Sequence, residues 1–84
     1  MEYDAVIAAM TRVLAPVLGE SMARASAQAH GAKLALANGR ITAEQAGTLV
    51  GKLNSGLIVF VGRDRAAALA EDMRAAVAAL GEGP

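Results

Sequence analysis

Thr42-Ala-Glu-Gln-Ala-Gly-Thr-Leu-Val-Gly-Lys-Leu-Asn-Ser-Gly-Leu-Ile-Val-Phe-Val-Gly62 is the stretch on which the fold turns. Its start reads as a capping box, with Thr42 capping the amide of Gln45 and the Gln45 side chain reaching back. Its end admits two readings. Asn54-Ser55-Gly56 looks like a stop, and Leu57-Ile58-Val59-Phe60-Val61 then looks like a buried strand. Yet Ala46, Leu49, Val50, Leu53, Leu57, Phe60 and Val61 share one arc of a helical wheel if the helix continues to Gly62. A strand beginning at Leu57 would meet that phase only by accident, and its only partner would be a symmetry mate. The phase therefore predicts one long helix, and with it an all-α fold.

Upstream, the chain reads as organised around Glu20 to Ala37, bounded by Gly19 and by Asn38-Gly39. Met22, Ala25, Ala29, Ala32 and Leu36 form one stripe of this segment; Ala23, Ala27, Gly31 and Leu34 form a second, nearly opposite. A helix apolar on two faces has to bury both, which predicts an Ala-rich central helix with close neighbours on each side. Glu20 and Arg24 can pair across one turn, and Asn38-Gly39 reads as a left-handed C-cap. Before it, Asp4 reads as an N-cap, and Val6, Ile7, Met10, Val13, Leu14, Val17 and Leu18 make the strongest amphipathic signal in the chain. Pro16 predicts a kink or a restart within that segment.

Downstream, Asp64 reads as the cap of a fourth helix, Arg65 to Leu80, with Gly81 as its stop. Ala66, Leu69, Met73, Ala76, Val77 and Leu80 form its core stripe, and Glu71 and Asp72 point to solvent. The expected architecture is a single domain, residues 1–81, built as a compact four-helix arrangement of short antiparallel helices. Residues 82–84 read as a disordered tail. No internal repeat is evident.

Composition bounds the function. The 84 residues carry eight basic and eight acidic side chains and no cysteine. A neutral balance argues against a sequence-independent grip on nucleic acid or anionic lipid. The absence of cysteine excludes a disulfide scaffold. No apolar run approaches a membrane span, and Glu2 and Asp4 occupy the place of a basic leader, so a cytoplasmic protein is expected. The Ala, Gly and Arg bias suits a GC-rich bacterial genome. With 21 alanines, the few large side chains have to supply the core, and self-association is one way for so small a core to gain stability.

Residues for chemistry are sparse. His30 is the only histidine, and no acid stands one helical turn from it, so neither a metal site nor a Ser-His-acid system is expected. No cofactor or catalytic residue is assigned, and no enzymatic activity is expected. Arg63-Asp64-Arg65, with Lys52, is the one polar cluster that could hold a phosphate or a partner's carboxylate. Met10, Met22 and Met73 lie at core phase.

Ala37-Asn-Gly-Arg-Ile-Thr-Ala-Glu-Gln45, following a long helix, resembles over nine residues the loop by which a histone-type second helix passes into its third. That resemblance implies a small nucleoid or DNA-associated protein as the alternative function, although neutral charge and a large fourth helix depart from the pattern. Val13-Leu-Ala-Pro-Val-Leu-Gly19 before an Ala-rich helix resembles small helical domains appended to bacterial signalling proteins, which implies a regulatory role.

What the third helix turns away from the core carries the main functional expectation. With Leu49, Leu53, Leu57 and Phe60 inward, Gly47, Gly51, Ser55, Ile58 and Val59 fall on the other side. Gly47 and Gly51 make a shallow groove, and β-branched Ile58 and Val59 gain nothing by facing water. The expected function is a non-enzymatic helical module that forms a homodimer or higher assembly, or docks a protein partner, through this face. The competing expectation is that these residues pack within one chain against the second stripe of the Glu20–Ala37 helix.

Overall fold

The computed structural model describes residues 1–34, 36 and 38–81. They form four helices: α1 Tyr3–Leu18, α2 Glu20–Gly31, α3 Ala43–Val61 and α4 Arg63–Gly81. The only β-type pairing among the described residues is an isolated antiparallel bridge between Glu2 and Arg40. The fold is the expected all-α four-helix arrangement. Leu57–Val61 completes α3, and the capping box at its start is formed, each of its two hydrogen bonds measuring 3.0 Å. The Asn54-Ser55-Gly56 segment does not stop the helix. The Ser55 hydroxyl turns back and donates to the Gly51 carbonyl at 3.2 Å, so it offers the backbone no competing turn.

Two hairpins make the bundle. α1 packs on α2 and α4, and α3 packs on α4 and α2. At one end, Ile41 donates its N–H to the Met1 carbonyl at 2.8 Å, the Met1 ammonium donates to the Ile41 carbonyl at 3.1 Å, and Tyr3 donates to the Gly39 carbonyl at 3.0 Å. At the other end each hairpin is closed by one glycine, Gly19 (φ 83°, ψ 153°) and Gly62 (φ 85°, ψ 165°). Each glycine donates to the carbonyl four residues back and accepts from the amide four residues ahead. It thus ends one helix and starts the next in backbone geometry that only glycine adopts freely.

A shift of 43 residues that carries Gly19 onto Gly62 also carries Val6, Ile7, Met10 and Leu14 onto Leu49, Val50, Leu53 and Leu57. The same shift takes Ala23 and Ala27 onto Ala66 and Ala70, and all twelve side chains are buried. The two halves therefore share one packing plan, although their residue identities differ. Within this shared set the first helix of each hairpin supplies large side chains and the second supplies alanines that let it approach closely, and α4 adds buried Leu69, Met73 and Val77.

Several expectations are corrected. α2 ends at Gly31 rather than Ala37, and it buries only Ala23, Ala27 and Gly31. Met22, Ala25, Ala29 and Ala32 stay exposed, so α2 is a one-sided helix and not the centre of the fold. At its end the Tyr3 ring lies where a Cβ on Gly31 would stand, so a larger residue there would have to displace the ring, and the following turn tightens, with Lys33 and Leu34 donating three residues back. Asn38 (φ 56°) and Gly39 (φ 71°) are left-handed as read, but they steer the chain toward the Glu2–Arg40 bridge instead of capping a helix. Ala35, Ala37 and the tail 82–84 lie outside the described residues.

Asp4 and Asp64 are first-turn residues and not caps, because α1 starts after Glu2 and α4 directly after Gly62. α1 runs on through Pro16 to Leu18 without a restart. On α4, Leu80 is 39% exposed and Ala70 is buried in the core. Ile41, 1% exposed, is a core residue that periodicity could not find, since it lies in a loop and is pinned by the Met1 bonds.

Candidate interaction surface

The outer face of α3 is built by default. Its inward arc, Ala46, Leu49, Val50, Leu53 and Leu57, is used up by the core, and the residues half a turn away have nowhere to go but outward. Gly47, Ser55, Ile58 and Val59 are exposed and Gly51 is partly so, with Val59 84% accessible. A Cβ added to Gly47, Gly51 or Gly56 would meet nothing within 4 Å. Packing within the chain thus has no need of these glycines. Each costs the helix roughly 0.5–1 kcal/mol relative to alanine. The second stripe of α2 does not cover this face: Ala23, Ala27 and Gly31 are buried in the core, while Gly47, Ser55, Ile58 and Val59 remain exposed.

Phe60 departs from the reading of its phase. It lies on the inward arc but is 71% exposed, because it occupies the last turn of α3, where the opposing turns of α2 carry only small side chains at the seam. The signal that could have found it is its place two residues before the Gly62 joint. A cleft of about 180 Å³ opens beneath it between α2 and α3. Buried Leu14, Leu53 and Leu57 form its floor, Leu18 and Phe60 its rim, and Ser26, His30 and Gly56 its sides. A second, shallower groove of about 440 Å³ runs between the start of α3 and the end of α4, with Gly47, Val50, Val77 and Ala78 among its lining residues and Arg74 at its edge. Arg74 is held by Glu71 at 3.3 Å.

The basic cluster is not gathered into one site. Arg63 and Arg65 stand exposed on the first turn of α4. Lys52 is ten residues before Gly62 on α3, about 15 Å of helix rise away from them. Asp64 makes no ion pair with either arginine; among the described residues the ion pairs are Arg24–Glu20 at 3.9 Å and Arg74–Glu71, both at the surface. No group of three His, Cys, Asp or Glu side chains is placed to hold a metal ion among the described residues. None of the described helices is long and apolar enough to cross a membrane. Of the three core-phase methionines, Met10 and Met73 are fully buried and Met22 is 54% exposed. Comparison of the chain with protein-family models, with curated proteins and with solved structures finds no match.

Proposed function

We propose that this chain is a non-enzymatic helical interaction module that self-associates, as a homodimer or an assembly built from one, or docks a protein partner through the outer face of α3. The observation that carries this reading is the combination on one helix face of glycines whose Cβ positions meet nothing within 4 Å with exposed Ile58 and Val59. Apolar side chains grouped at the surface beside open glycines favour the close approach of another helix. A stable interface buries about 800 Å² per partner, whereas one face of a helix this long offers roughly 300 Å². The contact therefore extends past α3, and Met22 on the first turn of α2 is a large apolar side chain left exposed at the end of the bundle where α3 stops. The balanced charge of the chain suits contact with a second copy better than with a polyanion. With the compositional bias, this supports a regulatory or signalling component of the bacterial cytoplasm.

Sedimentation velocity at micromolar concentration tests it. The wild type is expected to sediment as a dimer or larger, and the Ile58→Glu, Val59→Lys variant as a monomer with an unchanged far-UV circular dichroism spectrum. A wild type that is already monomeric would end the self-association reading. A double variant that stays assembled would remove this face from it.

A further inference from the structure

We infer that the cleft between α2 and α3 is a binding site for a small apolar monocarboxylic acid. This does not rest on self-association. Three observations converge on a cleft left open for an occupant. Gly56 lines the cleft from the interior of α3, and a Cβ there would meet nothing within 4 Å, so the chain's own packing does not require glycine at this place. Phe60, in core phase, stands over the opening instead of closing it. Ser26 and His30, four residues apart on α2 and so on one side of it, line the cleft half-buried, and neither side chain has a hydrogen-bond partner among the described residues.

The lining selects the class of ligand. Its floor and rim are leucines and a phenylalanine, which a bare phosphate would desolvate against without return. Its polar side consists of a hydroxyl and an imidazole, both able to donate to an oxygen anion. No acidic residue lines it, and Lys52, one turn before Gly56 on α3, adds a cation on that side of the helix. An amine finds no counter-charge here, and a purely apolar molecule would leave Ser26 and His30 unpaired. A volume of about 180 Å³ is of the order of the ~150 Å³ engineered cavity that admits benzene, so one ring or a short branched chain fits.

The test is a titration of the isotope-labelled full chain with benzoate, followed by backbone amide shifts. Saturable millimolar shifts are expected at Ser26, His30, Gly56, Leu57 and Phe60, with benzyl alcohol binding roughly tenfold more weakly because it forgoes the charge-assisted bonds. Gly56→Leu should abolish the shifts while the rest of the spectrum stays dispersed. Ser26→Ala with His30→Leu should remove the preference for benzoate over benzyl alcohol, and it serves as the deciding variant if Gly56→Leu does not fold. Absence of saturable shifts, unchanged binding in a folded Gly56→Leu, or equal affinity of wild type for the two probes would overturn the inference. So would shifts at these residues on simple dilution of the free protein, which would give the cleft to a side chain of a second copy.

Discussion

Leu57→Pro is expected to abolish the fold, leaving a chain whose far-UV circular dichroism shows little helix at room temperature. Leu57 is 3% exposed and lies in the middle of the last three turns of α3. Proline there loses the bond to the Leu53 carbonyl and clashes with it, costing about 3 kcal/mol or more. The buried leucine is lost as well, which for truncation to alanine costs about 2–5 kcal/mol. A chain of this size has roughly 4–13 kcal/mol in all, at 0.05–0.15 kcal/mol per residue. Together the two losses, about 5–8 kcal/mol, match the middle of that range and leave little or no folded state. Val59→Pro is the control. Val59 is exposed, so only the backbone cost applies, and this variant should remain folded with a lowered melting temperature. A folded Leu57→Pro with a merely shortened helix would mean that the end of α3 is not part of the cooperative core.

The same segment shows what could be read from the residues and what could not. Helical phase over Ala46–Val61 outweighed the local strand propensity of Leu57–Val61, because seven apolar positions agreeing on one arc carry more information than five consecutive β-formers. The capping box at Thr42 was legible because it is purely local. The two stripes of Glu20–Ala37 misled for the opposite reason. Alanine is apolar enough to count in a periodicity but too small to require burial, so Ala25 and Ala29 could be left in water while Ala23 and Ala27 made the seam. Where α2 stops, Tyr3 lies against Gly31, a contact between residues far apart in the chain, which no window of sequence contains. Phe60 failed similarly. Its phase was right, but whether a core-phase residue is covered depends on what the facing helix presents at that level, here small residues beside a one-residue joint. The outer face Gly47, Gly51, Ser55, Ile58 and Val59 was readable as the complement of the core arc, and its exposure follows once that arc is filled. The relation of Lys52 to Arg63 and Arg65 depends on helix length, since the ten residues from Lys52 to Gly62 rise about 15 Å along α3.

Substituting alanine for glycine should have opposite effects at two sets of positions, and the sign tests how the hairpins are made. At Gly19 and Gly62 there is nothing within 4 Å of the added Cβ, so no packing argument forbids alanine. The backbone does. With φ near 85° and ψ beyond 150°, both lie in a region that L-residues occupy only under strain of about 1–3 kcal/mol each. For a domain of 60–100 residues each kcal/mol lowers the melting temperature by about 4–8 °C. Either single variant should therefore melt several degrees below wild type. The Gly19→Ala, Gly62→Ala double variant combines two independent losses of about 1–3 kcal/mol each, a large fraction of the available stability. Gly47→Ala and Gly51→Ala carry the same added methyl group into equally open space, but on ordinary helical backbone. Introduced into the monomeric Ile58→Glu, Val59→Lys background, where no second helix approaches them, they should raise stability by about 0.4–1 kcal/mol each, through the reduced freedom of the unfolded chain. Thermal melts of the four glycine variants, each against its own parent, decide the matter. If alanine at Gly19 and Gly62 melts at or above wild type, the joints are not held in the glycine-only geometry, and the shared plan of the two hairpins loses its physical basis.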